Sequence, residues 1–303
     1  MSIAKPEAIV GGSGNQVARW SREGEAMWVR INDNDLNVEV LGTAAAPVLI
    51  AHHGGGGIGS LEEPRATFGP LADKFRVVVF DARGCGRSQG NPPFTHAQWA
   101  ADVDGLRQWI GAEQVVIAGG SYGGFIAMEY AIAFPEHTRA MILRDTSADH
   151  SNLALAFDNA RNQTRVKLNW ENFDRYWSGN IRDDEDLKAC WAEMIPLYDF
   201  EYDPGKATAR VEAGIYRHEA HNWCFQKNQP NYDLKEALPR VKCPTLVTVG
   251  RSDWITPVTS AETIVSLIPN AKLVVFERSG HSPQIEESEL FQKVLRDFLD
   301  TCS

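Results

Sequence analysis

Six short apolar runs, each followed by polar or turn-forming residues, constrain the fold of this chain more than any other feature. They lie at residues 48–51, 77–80, 115–118, 141–143, 246–249 and 273–276. Apolar runs without alternation are typical of strands that are buried on both faces of a sheet. Helix-like stretches follow several of these runs, at residues 97–110, 123–134, 258–267 and 289–299. This alternation predicts an α/β fold, with a mostly parallel central sheet flanked by helices.

Two segments depart from the alternation. Residues 27–31 and 36–41 flank the sequence NDND, which predicts an antiparallel hairpin at the sheet edge. Between about residues 146 and 238 no clear buried strand occurs, and the segment predicts a helical insertion after the sixth main strand. Such an insertion would lie over the carboxyl ends of the strands, where open α/β folds bind ligands. The sequence therefore predicts a core domain of residues 1–145 and 239–303 and a helical cap of residues 146–238.

Charge and cysteine content argue against several classes of partner. The formal net charge of -10 disfavours a nucleic-acid partner, because phosphate binding needs clustered Lys and Arg. No apolar run approaches the roughly 18 residues that span a bilayer, and residues 1–14 lack the apolar segment of a secretory leader. The five cysteines have no CxxC spacing, which indicates reduced thiols. We therefore expect a cytoplasmic protein without a membrane partner, and the oligomeric state stays open.

A glycine-rich hexapeptide supplies the candidate nucleophile. The sequence GGSYGG at residues 119–124 directly follows a predicted strand and opens a predicted helix. This is the context that the G-x-S-x-G turn of α/β-hydrolases requires. Small neighbours allow the strained turn, and the helix start favours a developing negative charge near Ser121. The sequence predicts Ser121 as a nucleophile, and a glycine-rich loop without chemistry is the alternative.

A serine hydroxyl needs a base, and the base needs an acid that orients it. In α/β-hydrolases these partners follow the serine in the order acid, histidine, each in a loop after a later strand. Asp253 follows the run at 246–249, and His281 follows the run at 273–276. The order predicts Asp253 and His281 as the partners of Ser121. Asp145, after the preceding strand, is the backup acid.

The loop after the first buried run is the candidate oxyanion hole. Its sequence, HHGGGG, can present backbone N–H groups to the developing oxyanion together with the residue after the nucleophile. We expect Gly55 and Tyr122 to supply these donors, with Gly54 as a further candidate and His53 as a substrate contact. Neither a P-loop nor a well-placed G-x-G-x-x-G occurs. Because the triad and these donors complete the chemistry, we expect no cofactor and no metal.

Three segments together resemble the proline iminopeptidase family of α/β-hydrolases. Residues 119–124 are similar to the doubled-glycine turn of that family, residues 81–88 (DARGCGRS) to its D-x-R-G-x-G-x-S segment, and residues 53–57 (HGGGG) to its H-G-G-P-G loop. The resemblance covers most of the chain from about residue 44 and is weakest in the cap. Gly56 stands where the family has proline, which is expected to loosen the loop.

The resemblance also implies a residue for amine recognition. The stretch RHEAH at residues 217–221 is similar to an R-x-E-x-H stretch in which the family's glutamate receives the substrate's free amino group. Glu219 is therefore the candidate for that contact, and a solvated glutamate on a helix face is the equally weighted alternative. The cap tryptophans, Trp170, Trp177, Trp191 and Trp223, are interpreted as core residues. One or two of them are also candidates for the wall of an apolar substrate pocket, with Trp223 as the first choice.

Three hypotheses for function follow. The first is a serine aminopeptidase that releases an N-terminal residue, such as proline, from a short peptide or amide through an acyl-enzyme. The second is a hydrolase of a carboxylic ester or lactone, including an intermediate of secondary metabolism. The third is a non-catalytic protein of this fold that binds a small molecule. The partner expected in each case is a small molecule or a short peptide.

Overall fold

A computed structural model describes residues 25–302. The expectation of no leader at residues 1–14 therefore lies outside the described part. The strands are β1 (Met27–Ile31), β2 (Asn34–Leu41), β3 (Val48–His52), β4 (Arg76–Phe80), β5 (Val115–Gly120), β6 (Thr138–Arg144), β7 (Thr245–Gly250) and β8 (Ala271–Phe276). They form one sheet in the order β1-β2-β4-β3-β5-β6-β7-β8. The pairs β1·β2 and β2·β4 are antiparallel, and all the others are parallel. The predicted α/β-hydrolase fold, with its mostly parallel sheet, is confirmed.

Helices cover both faces of the sheet. They are α1 (Glu62–Phe68), α2 (His96–Ile110), α3 (Tyr122–Ala133), α4 (Asn152–Asn162), α5 (Trp170–Ser178), α6 (Asp184–Met194), α7 (Pro204–Ala213), α8 (His218–Trp223), α9 (Val258–Leu267), α10 (Pro283–Glu286) and α11 (Ser288–Asp300). On one face, α2, α3 and α9 bury Trp99, Ile126 and Ile264 against the strands. On the other, α1 and α11 bury Phe68 and Leu295. The apolar strand runs are therefore buried from both sides, as their lack of alternation predicts.

Local signals account for the element boundaries. The helix predicted at residues 97–110 begins one residue earlier because Thr95 caps it, accepting a bond from the N–H of Gln98. The hairpin turn is shorter than the predicted NDND, since Asn34 pairs with Ile31 and belongs to β2. Asn32 carries the turn at φ 51°, a left-handed angle that two-residue hairpins favour.

The segment between β6 and β7 is helical. It holds α4 to α8, short 3₁₀ turns and a π-helical turn at Cys224–Asn228. These helices bury a core of their own, which includes Phe173, Trp177 and Leu187. Trp254, in the loop after β7, packs into the same cluster. The helical segment therefore lies over the carboxyl end of the sheet, and its helices fall inside the expected cap boundaries of residues 146–238.

No helix within residues 25–302 combines the length and the apolar character that a membrane span requires. The five cysteines are all free thiols, and three of them are buried: Cys85, Cys190 and Cys224.

Candidate active site

Ser121 lies on a strained turn between β5 and α3. Its backbone angles are φ 51° and ψ -121°, a region that non-glycine residues rarely adopt. The Ser121 N–H donates to the carbonyl oxygen of Arg144 at 2.8 Å, which ties the turn to the end of β6. A Cβ at Gly123 would lie 2.5 Å from the carbonyl oxygen of His53. Only glycine at position 123 allows the helix to begin so close to the loop after β3.

His281 and Asp253 form a buried pair. The Asp253 Oδ2 lies 2.8 Å from His281 Nδ1, and Asp253 also accepts from the N–H groups of Ile255 and Thr256 and from the Thr256 hydroxyl. These bonds satisfy an ionised carboxylate. Because Nδ1 is engaged, Nε2 is the ring nitrogen left for a hydroxyl, and His281 and Ser121 line the same cavity.

Each member of this pair shifts the pKa of the other. Burial opposes ionisation of Asp253, but the charge and hydrogen bond of His281 outweigh it and hold the pKa of Asp253 below its ordinary value. Burial likewise disfavours the imidazolium, but the charge and hydrogen bond of Asp253, together with the charge of Asp145, raise the pKa of His281 above its ordinary value. The arrangement therefore stabilises a proton on His281.

Asp145, the backup acid, does not take the bond to the imidazole. Its Oδ1 accepts from the N–H of Gly250 at 2.9 Å, and its Oδ2 lies 3.2 Å from Nη1 of Arg144. The hydrogen bond to His281 Nδ1 belongs to Asp253, the acid predicted first.

The loop after β3 lies against the serine turn. Gly54 and Gly55 line the same cavity as Ser121 and Tyr122, and a Cβ at Gly54 would lie 3.3 Å from the Cβ of Ser121. Gly55 has φ 59°, which glycine adopts without strain. These backbone groups are therefore close enough to Ser121 to be the expected oxyanion donors.

His53 supports this loop from below. Its side chain is buried, and its Nε2 accepts a bond from the N–H of Ala82 at 3.0 Å. Burial lowers the pKa of His53, which keeps the ring neutral and able to accept. His53 is absent from the cavity wall among the described residues. The expected substrate contact is thus corrected to a structural role, because the ring faces the segment after β4.

The cavity over Ser121 is large and mostly aromatic. Its volume is about 410 Å³. Aromatic side chains from the core and the cap form much of its wall, among them Phe125, Tyr176, Trp177, Trp191, Tyr198 and Phe225. Four charged side chains, Glu62, Glu63, Arg144 and Arg210, also line it. Such a cavity suits a ligand with an apolar body and a few polar groups.

Comparison with known proteins decides the family. A model of the alpha/beta hydrolase fold matches residues 47–288. The chain belongs to the alpha/beta-hydrolase family. This hydrolase is 33% identical over 277 residues to the proline iminopeptidase PfmaB of Pestalotiopsis fici, covering 90% of this chain and 99% of that protein. It is 28% identical to a proline iminopeptidase of Heyndrickxia coagulans, over 84% of this chain and 91% of the relative.

Solved structures of similar fold include esterases. A thermophilic esterase from Thermogutta terrifontis is 26% identical, with a TM-score of 0.73 over 92% of this chain and 99% of the other. The meta-cleavage product hydrolase CumD of Pseudomonas fluorescens IP01, at 22% identity and a TM-score of 0.73 over 91% of this chain and 98% of the other, shows the fold alone.

Glu219 does not line the cavity over Ser121 in this hydrolase. Helix α8 turns Ala220 and His221 inward, so Glu219 is exposed and lines a separate cavity of about 270 Å³ with Asp184 and Arg217. The expectation of amine recognition at Glu219 is therefore corrected, and the alternative, an outward helix-face glutamate, fits the structure.

Trp223 also lies away from the cavity over Ser121. It follows Glu219 by one helical turn, and its ring packs edge-on against Phe94 at 5.7 Å between centroids. The aromatic wall instead includes Trp177, Trp191 and Phe225. Trp223 is thus corrected from a pocket residue to a packing residue, and Trp177 and Trp191 contribute both to the cap core and to the cavity.

The partly buried ion pair between Arg144 and Glu63 was not predicted from the sequence. The Nη2 of Arg144 lies 2.8 Å from Oε1 of Glu63, and its Nη1 donates to the carbonyl oxygen of His281 at 3.0 Å. Arg144 ends β6, and Glu63 is the second residue of α1, 81 positions earlier. Neither belongs to a local motif. Their pairing depends on the sheet order β3-β5-β6, which brings the helix after β3 close to the end of β6.

One group of residues within the described range has the spacing of metal ligands. It consists of Asp145, Asp253 and His281, whose candidate ligand atoms lie within 4.8 Å of one another. The guanidinium of Arg144, 3.2 Å from Asp145, already neutralises part of the negative charge of the two carboxylates. The Asp253–His281 bond occupies one ring nitrogen. These residues therefore fit an acid–base pair better than a cation site.

Proposed function

We propose that this protein is a serine hydrolase in which Ser121 is the nucleophile, His281 the general base and Asp253 the acid that orients it. His281 Nε2 takes the proton as Ser121 Oγ attacks the carbonyl carbon, then returns it to the leaving group. Water, activated in the same way, hydrolyses the acyl-enzyme. The N–H groups of Gly55 and Tyr122, with Gly54 beside them, stabilise the oxyanion.

One observation carries this proposal. A buried imidazole, bonded through Nδ1 to a fully hydrogen-bonded carboxylate, shares a cavity with a serine held at positive φ at the start of a helix. A histidine with a purely structural role would not require Ser121 to adopt a strained backbone conformation. Strain of about 1–3 kcal/mol at such a position is typical of active sites.

For the substrate, we propose a carboxylic ester or lactone with an apolar, ring-sized group. The aromatic wall supports this choice, since it gives extensive apolar contact. The outward position of Glu219 also supports it, because the carboxylate expected to receive an ammonium lies at another cavity. The likeness to a thermophilic esterase is compatible with ester hydrolysis.

The second candidate is an aminopeptidase similar to the proline iminopeptidases. It is favoured by the 33% identity to a protein of that description over 90% of this chain. In that case the ammonium would have to meet one of the two carboxylates that line the cavity, Glu62 or Glu63.

A substrate panel separates the two. We would measure kcat/KM for esters, lactones and amides with the same apolar group, each with and without a free amine, including p-nitrophenyl butyrate and Pro-β-naphthylamide. Equal kcat/KM values for esters with and without a free amine support the first candidate. Turnover confined to free-amine amides would replace it with the second. Neither activity requires an added cofactor, a nucleic acid or a membrane in this proposal.

Replacing Ser121 with Ala provides the control for every substrate. The loss in kcat should approach about a millionfold, as in a serine-protease series. Residual activity within tenfold of the wild type would show that another group is the nucleophile.

A further inference from the structure

A second carboxyl group lies beside the His281–Asp253 pair. Asp145 is fully buried, and its carboxylate oxygen lies within 4.8 Å of the nearest ligand atoms of Asp253 and His281. Its backbone has φ 46°, an unusual angle for a residue with a side chain. An ionisable group held in a strained conformation next to a reactive pair calls for a physical role.

Three charged or titratable groups act directly on Asp145: Arg144, Asp253 and His281. Arg144 contacts both Asp145 and the backbone of His281 and is itself 4% exposed. Its guanidinium charge opposes a second positive charge on the nearby imidazole. Glu63 bonds to the far side of Arg144 and offsets part of that charge. The negative charge of Asp253 repels a negative charge on Asp145.

We propose that Asp145 is a positioning residue of the active site, which favours the imidazolium of His281 by its charge and offsets Arg144 without bonding to the ring. The inference rests on the proposed function, in which His281 carries a proton in the transition state. When Asp145 is ionised, its negative charge neutralises the positive charge of Arg144. The negative charge of Asp253 then stabilises the imidazolium of His281. Without the charge of Asp145, the proton on His281 would add a second positive charge to a buried site.

The ionisation of Asp145 follows from the same surroundings. Burial, and then the charge of Asp253, raise the pKa of Asp145 to about 7, although Arg144, His281 and the N–H of Gly250 act in the opposite direction. The carboxyl therefore gains its charge near neutral pH. Its effect on His281 grows as the pH rises through that range, and the two groups titrate as a coupled pair.

Titration of His281 in the free enzyme tests the inference without any substrate. The imidazole resonances of the wild type, Asp145→Asn and Asp145→Gly would be followed by NMR between pH 5 and 9 (about the range where a histidine titrates). Asparagine and glycine both tolerate positive φ, so both variants suit the backbone at position 145. Removing a carboxylate at this separation should lower the pKa of His281 by about one unit.

Asp104→Asn is the matched control, because Asp104 is also a buried aspartate paired with an arginine, Arg107, on helix α2. It should leave the His281 titration unchanged. A His281 titration in both Asp145 variants that matches the wild type would overturn the inference. The His281 pKa from NMR could instead shift in the Asp145 variants while the acid limb of their kcat/KM profiles stays in place. That result would count against His281 as the base and so against the proposed function.

Discussion

The contact between Gly56 and Cys224 yields a prediction that can be worked out from the structure. Gly56, in the candidate oxyanion loop, stands where the resembling family has proline, and the space beside it is filled by Cys224 of the cap. A Cβ at position 56 would lie 3.0 Å from the Cβ of Cys224 and would overlap its Sγ. Cys224 is fully buried, so it has little room to move. The cap side chain thus fills space that a larger residue would need, and the loop is packed rather than loosened.

Replacing Gly56 with Ala should therefore act like overpacking a core. We expect the free energy of unfolding to fall by about 2 kcal/mol, within the usual range for such changes. Cys224→Ala removes one buried sulfur and should cost about 1 kcal/mol. The double variant loses the clashing sulfur but keeps the Cβ of residue 224 at 3.0 Å from the new Cβ. It should therefore lose about 2 kcal/mol rather than the additive value of about 3 kcal/mol, which gives a coupling energy of about 1 kcal/mol.

Urea unfolding followed by tryptophan fluorescence measures all four proteins, and kcat/KM for one ester reports the loop geometry in parallel. Gly56→Ala combined with Cys190→Ala serves as the control, since Cys190 is a buried cap cysteine on α6 that does not contact position 56. Additive losses in the Gly56–Cys224 pair, equal to those of the control pair, would refute the packing argument.

Three further outcomes are expected. Asp253→Asn should lower kcat by about 10⁴-fold, because an amide favours the wrong tautomer of His281; a loss below tenfold would shift the role of acid to Asp145. Protonation of the proposed base, His281, at low pH should abolish activity. Because the pKa of His281 is raised, kcat/KM should fall as the pH drops through a midpoint above 6.5. A midpoint at or below 6.5 would contradict the net effect of Asp253 and Asp145 on that pKa. Glu219→Gln should leave kcat/KM within about twofold for amine and non-amine substrates alike, since Glu219 lines a separate cavity; a loss confined to amine substrates would return it to the site.

The order of the elements follows from the sequence because its causes are local. Buried strands show as continuous apolar runs, and the turn at Ser121 shows as a cluster of glycines around one serine. The relation of Ser121 to the loops that hold Asp253 and His281 could also be predicted, since parallel strands end at one edge of the sheet. The same logic places Gly55 near Ser121.

Side-chain direction in the cap could not be predicted in this way. Whether position 219 faces the cavity over Ser121 depends on the rotation of α8 about its axis, which Ala220 and His221 fix by packing inward. A similarity over five residues, 217–221, does not fix that rotation. The same holds for Trp223, whose partner, Phe94, lies 129 positions earlier in the chain.

The sequence by itself determined the sheet, the chain order of the candidate triad and the helical nature of the cap, because each depends on neighbours within a few residues or on the ends of parallel strands. Only the tertiary structure decided which side chains surround the serine, and it joined Arg144 to Glu63, Asp145 and His281. Apart from the sequence neighbours Arg144 and Asp145, these groups come from separate parts of the chain. Their interaction depends on burial and on distances of a few ångströms, which exist only once the strands have paired and the cap has packed over them.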